Sequence, residues 1–101
     1  MPRITPADRE KLTTLLREEI PDTQWWHSGP HSLWIQGGHL GSEGLLVFIY
    51  NNRHVVVSPG VYARAGDPRR SFLVGTDYTG RGWMERLVAD VNTAILKTKG
   101  Q

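Results

Sequence analysis

Ser71-Phe72-Leu73-Val74-Gly75-Thr76-Asp77-Tyr78-Thr79-Gly80-Arg81-Gly82-Trp83, and the run from Met84 to Ile95 that follows it, decide the fold class. The first part alternates like a strand and ends in a glycine-hinged corner. The second part places Met84, Leu87, Val88, Val91 and Ile95 at i, i+3, i+4, i+7 and i+11, one apolar face at helical period. A strand that hands over to an amphipathic helix, preceded by several alternating segments, predicts an α+β chain.

Upstream of this stretch, Thr5-Pro6-Ala7-Asp8 has the chemistry of a helix start. Thr5 caps, Pro6 suits the first helical position and Asp8 stands three residues on. Leu12, Leu15, Leu16 and Ile20 make an apolar face, and Pro21 ends the helix by excluding Ile20 from the α region. Short strands are expected over 24–28 and 32–36, joined at Gly29-Pro30, with Gly37, Gly38, Gly41 and Gly44 marking a long turn. Leu45 to Tyr50 is a strongly apolar strand. Asn51-Asn52 tolerates positive φ, so a hairpin follows, with its return strand over Arg53 to Ser58. Val61-Tyr62-Ala63 continues that strand beyond Pro59-Gly60. Ala65-Gly66-Asp67-Pro68 is a turn, and Ser71 to Asp77 is the last long strand. Lys97 to Gln101 reads as a polar tail.

The order is α-β-β-β-β-(β)-α. Short connections favour an antiparallel meander of four to five strands. The N-terminal and C-terminal helices must bury their apolar faces on one side of it. With no repeat and no linker, residues 1–101 read as one domain, whose core is expected to contain Leu12, Leu16, Leu87, Val88 and Val91.

The chain has 101 residues and no cysteine. That excludes a disulfide framework, a thiolate zinc site and a cysteine nucleophile. No apolar run approaches the roughly 18 residues of a membrane span, and the N-terminus runs into a helix rather than a signal core. A cytoplasmic, soluble protein is the expectation. Net charge is +2. Residues 1–52 carry four basic and six acidic side chains, and residues 53–101 carry eight and four. The second half is therefore mildly positive.

Candidate chemistry is sparse. His27 and His31 have H-x3-H spacing, but Gly29 and Pro30 intervene and a third ligand is missing, so no metal is assigned. The glycine-rich run from Gly38 to Gly44 precedes a strand, whereas a phosphate loop must open a helix. Thr79-Gly80-Arg81-Gly82 stands at a helix start, where amides and Arg81 could hold an anion. A glycine corner over a plugging Trp83 is the plainer reading. Asp77, Glu85 and Asp90 do not share a helix face, and Arg86 with Asp90 is expected to form an i,i+4 pair. None of the serines sits in a nucleophile elbow. No catalytic residue and no cofactor are assigned.

The aromatic residues carry more. Trp25 and Trp26 are neighbours on a strand, so they point to opposite faces and one should show at the surface. Leu45, Val47 and Ile49 oppose Leu46, Phe48 and Tyr50, and both sets are apolar. Arg53, Val55 and Val57 likewise oppose His54, Val56 and Ser58. A two-layer fold leaves one sheet face as a contact surface unless a loop such as 37–44 covers it. The leading expectation is a small non-catalytic interaction or regulatory module. Its partner is a protein, with a homodimer included, held through Trp26, Trp34, Phe48 and Tyr50. The alternative is a nucleic-acid binder that uses sheet aromatics with Arg53, Arg64, Arg69, Arg70 and Arg81. A small enzyme or metal-binding protein comes third, for want of a catalytic constellation. Size and lack of motifs suit an accessory protein of a phage or mobile element.

Overall fold

The computed structural model describes residues 3–27, 33–39, 45–59 and 72–99. Thr5 opens the first helix as its sequence requires. Its hydroxyl accepts from the Asp8 amide at 3.1 Å, and the Asp8 carboxylate accepts from the Thr5 amide at 3.4 Å. This reciprocal box satisfies two amides that have no partner within the helix. Helix α1 then runs over Pro6–Glu19 and stops before Pro21. Five strands follow: β1 Thr23–His27, β2 Leu33–His39, β3 Leu45–Tyr50, β4 Val55–Pro59 and β5 Phe72–Gly75. Helix α2, Trp83–Lys99, closes the order.

Every strand pairs antiparallel with the next, in the spatial order β1-β2-β3-β4-β5. Both helices pack on one face of this meander and against each other, α1 over β1 and β2, α2 over β4 and β5. Leu12, Leu16, Leu87, Val88 and Val91 share a single buried cluster with Trp25, Ile35, Val47, Ile49, Val55 and Val57. Odd-numbered residues of β3 and β4 face the helices and even-numbered ones face away, as the alternation in the sequence requires.

Several local expectations are corrected. Gly37 and Gly38 are not in a turn but inside β2, paired with Trp25 and Gln24. A Cβ on Gly37 would stand 2.6 Å from Trp25 Cε3, and one on Gly38 would stand 3.2 Å from Trp26 Cη2. The two tryptophans, one on each face, lie where those side chains would be. That is why glycine persists in a strand it would otherwise weaken. Lys97, Thr98 and Lys99, expected in a polar tail, belong to α2. The additional strand over Val61-Tyr62-Ala63 and the turn at 65–70 lie outside the described residues.

The β3–β4 hairpin forms, but neither asparagine takes positive φ. Arg53 does, at 67°. The Arg53 amide donates to the Tyr50 carbonyl, and the Tyr50 amide donates to the His54 carbonyl. The Asn52 side chain accepts from the His54 amide. This is a three-residue loop, a turn followed by one left-handed residue. Arg53 holds that conformation because its guanidinium is tied down on three sides. It donates to the Arg3 carbonyl at 3.0 Å and to the Tyr78 carbonyl at 2.9 Å, and it lies 3.7 Å from the Trp83 ring centre.

Candidate functional site

The face opposite the helices carries one row of residues across all strands. Register aligns Trp26 with Gln36, Gln36 with Phe48, Phe48 with Val56 and Val56 with Leu73. The two ends of the row are open, Gln36 and Val56 are half-buried, and Phe48 between them is buried. Trp26 is 40% exposed and Leu73 57%, while Phe48 is 1% exposed and its neighbour Ser58 is buried too. The face is thus open at its rim and half-buried at Gln36, Leu46 and Val56, and Phe48 is corrected from a surface anchor to a buried residue.

Trp34 is corrected as well. A bulge between Leu33 and Ile35 places it out of register, and the ring packs against the helix-side core. Arg9 of α1 covers it, with the guanidinium carbon 4.7 Å from the ring centre. One extra residue in a strand reverses the facing of a side chain, which no alternation count along 32–36 reveals. Tyr50 is half-buried at the hairpin end. Trp26 is the anchor that remains at the surface on the expected face.

Arg53, expected among the nucleic-acid contacts, directs three of its five N–H donors to backbone carbonyls and its planar face to Trp83, which leaves it less free for that role. Arg81 is exposed. Arg64, Arg69 and Arg70 lie outside the described residues. The corner over 79–82 takes positive φ at Gly80 and Gly82. It is knitted by Arg86, which donates to the carbonyls of Arg81 and Thr79. The expected Arg86–Asp90 pair is replaced by this contact, and Asp90 instead accepts from the buried Tyr78 hydroxyl at 2.9 Å. Burial, then the hydrogen bond to Asp90 and its negative charge, push the Tyr78 phenol well above its ordinary range.

His27 belongs to a set that the sequence did not suggest. Its Nε2 stands 3.0 Å from Thr13 Oγ1, and its Nδ1 stands 3.6 Å from Glu10 Oε1. Hydroxyl, imidazole and carboxylate in this order resemble a nucleophile triad. Thr13, however, is buried and gives its proton to the Arg9 carbonyl at 2.7 Å. The hydroxyl must then accept from His27 Nε2–H. The set binds β1 to α1 and offers no accessible nucleophile. Among the described residues, no group of three His, Cys, Asp or Glu side chains could hold a metal. No described helix is long and apolar enough to cross a membrane.

A groove of about 420 Å³ runs along β1, lined by Arg17, Pro21, Thr23, Gln24, Trp25 and Trp26. Thr23 Oγ1 is buried there with no hydrogen-bond partner. Arg17 reaches across from α1 and donates to the Trp25 carbonyl at 3.0 Å. The Trp25 indole N–H donates to the Ile20 carbonyl at 3.3 Å, fixing the ring beneath the end of α1. No protein-family model, curated protein or solved structure matches this chain.

Proposed function

We propose that the chain is a small non-catalytic interaction module that binds a protein partner, with β1 and Trp26 as its contact surface. The observation that carries this reading is Trp26, a large aromatic side chain 40% exposed on the face away from the helices and beside an open groove. Aromatic residues concentrate binding energy at protein interfaces. An exposed indole seated on a glycine is already ordered, so little side-chain freedom is lost when it is covered. The engagement of Arg53 within the fold weakens the nucleic-acid alternative.

Affinity capture with the tagged chain from nuclease-treated lysate tests the reading, followed by titration of the purified captured protein. A specific protein should be retained, and Trp26→Ala should weaken its binding at least about ten-fold, the scale of an interface hot spot. Capture seen only from a parallel untreated lysate, or oligonucleotide binding with a steep salt dependence, would overturn it in favour of nucleic acid.

A further inference from the structure

The hairpin fixes which backbone groups each strand turns to its neighbours. The Tyr50 amide donates to the His54 carbonyl at the closed end of β3–β4. In an antiparallel ladder, such pairs alternate with pairs that turn away. Even-numbered residues of β3 therefore bond to β4, and odd-numbered ones bond to β2. By the strand registers, even-numbered residues of β2 bond to β1, and Gln24 and Trp26 of β1 bond to β2. Thr23, Trp25 and His27 turn their amides and carbonyls outward, along the edge of the sheet. The Thr23 amide bonds to the Ile20 carbonyl at 3.4 Å and the Trp25 carbonyl accepts from Arg17, in keeping with this parity.

We propose that β1 is a docking edge for an extended partner segment that carries a carboxylate, added to the sheet as a further strand beside Trp26. This rests on the reading of the chain as a protein-binding module and names the chemistry of the partner. The groove along β1 draws its lining from both faces of the sheet: Thr23 and Trp25 from the helix side, Gln24 and Trp26 from the other. An added strand sends alternate side chains to either face and pairs its backbone with the edge, so it fits such a groove where a compact ligand would not. The Trp25 amide points outward to meet it.

Two side chains set the specificity. Thr23 is 4% exposed, and its hydroxyl is orphaned in the groove. A buried hydroxyl without a partner is unfavourable, and a polar group of the entering segment relieves it. Arg17 guards the edge by occupying the Trp25 carbonyl. A neutral strand meets that guard. A carboxylate forms a stronger, charge-assisted bond with the guanidinium, draws it off and releases the carbonyl to accept an amide of the incoming strand. Asp22 is exposed and lies outside the lining, so the cation in the groove is Arg17. The arrangement admits an acidic strand and blunts indiscriminate edge pairing.

The test is a tryptophan-fluorescence titration of the intact protein with two blocked seven-residue peptides of alternating valine and threonine. One carries a central glutamate and the other a glutamine. The glutamate peptide should bind about ten-fold more tightly, the scale of one charge-assisted hydrogen bond. Arg17→Gln should erase the difference. Thr23→Val should weaken both peptides while leaving the circular dichroism spectrum intact and without lowering the melt. Equal affinity of the two peptides for the wild type, discrimination that survives Arg17→Gln, or no binding of the glutamate peptide at millimolar concentration would each overturn the proposal. A wild-type dimer in sedimentation that Gln24→Lys dissociates would overturn it in favour of a second copy on this edge. If the peptides fail while Trp26→Ala still abolishes capture of a protein partner, the module reading stands and the acidic-strand edge falls. If both fail, neither stands.

Discussion

The indole of Trp25 occupies the place where a side chain on Gly37 would stand, one strand away. Gly37→Ala must push a buried ring out of a packed core, and it should cost about 1–3 kcal/mol, the range for overpacking. Gly38→Ala meets the half-exposed Trp26 at 3.2 Å, and that ring can yield into solvent. The second variant should stay within about 0.5 kcal/mol of the parent. Urea melts of the pair decide it, and equal losses would mean that Trp25 is not seated on Gly37.

Arg53 joins three places that are far apart in sequence, the Arg3 carbonyl, the Tyr78 carbonyl and the Trp83 ring, from a left-handed backbone position. Arg53→Ala removes all of these contacts and keeps the backbone cost, so it should destabilise by about 1–3 kcal/mol. Arg53→Gly removes the same contacts but relieves the left-handed conformation. It should be the milder change by about 1 kcal/mol. Denaturant midpoints in the opposite order would refute the staple.

Tyr78 should titrate late. Folding raises its phenol above the ordinary value of 10.0, chiefly by burial, so the folded state keeps the proton more firmly than the unfolded one. The stability from the protonated phenol is complete below that ordinary value and is lost as pH climbs above it. In a spectrophotometric titration, the Tyr78 step should coincide with alkaline unfolding. Tyr78→Phe should cost about 0.5–1.5 kcal/mol at neutral pH and flatten the decline of stability above pH 10. A Tyr78 step at the ordinary phenol position in folded protein would contradict the burial and the Asp90 bond.

Leu87 lies fully buried where α2 meets the sheet. Leu87→Ala should cost about 2–5 kcal/mol through lost burial and the cavity left behind. A loss below about 0.5 kcal/mol in a chemical melt would show that α2 is not docked.

Much of the architecture was legible because the signals were local. The Thr5–Asp8 box, the spacing of Leu87, Val88 and Val91, and the two-faced β3 each declare themselves within a few residues. What the sequence concealed depends on partners distant along the chain. Gly37 and Gly38 look like a turn until Trp25 and Trp26 are laid against them. Trp34 counts as outward until the bulge turns it under Arg9. Arg53 reads as a surface cation, because nothing beside it in sequence announces Arg3, Tyr78 and Trp83. The outward parity of β1 likewise follows only from a hairpin closed two strands away.

The placement of one helix before the meander and one after it has a consequence for synthesis. Val55 and Val57 lie on the half of the sheet that α2 covers, and Leu87, Val88, Val91 and Ile95 supply that cover from a helix that follows β5 in the chain. As the chain leaves the ribosome, its hairpins can pair early, since their contacts are local. Their apolar side stays unroofed until α2 has emerged. A pause or premature stop ahead of Trp83 therefore yields a paired sheet with a greasy face and open rims, the kind of nascent species that chaperones hold and that aggregates when they do not.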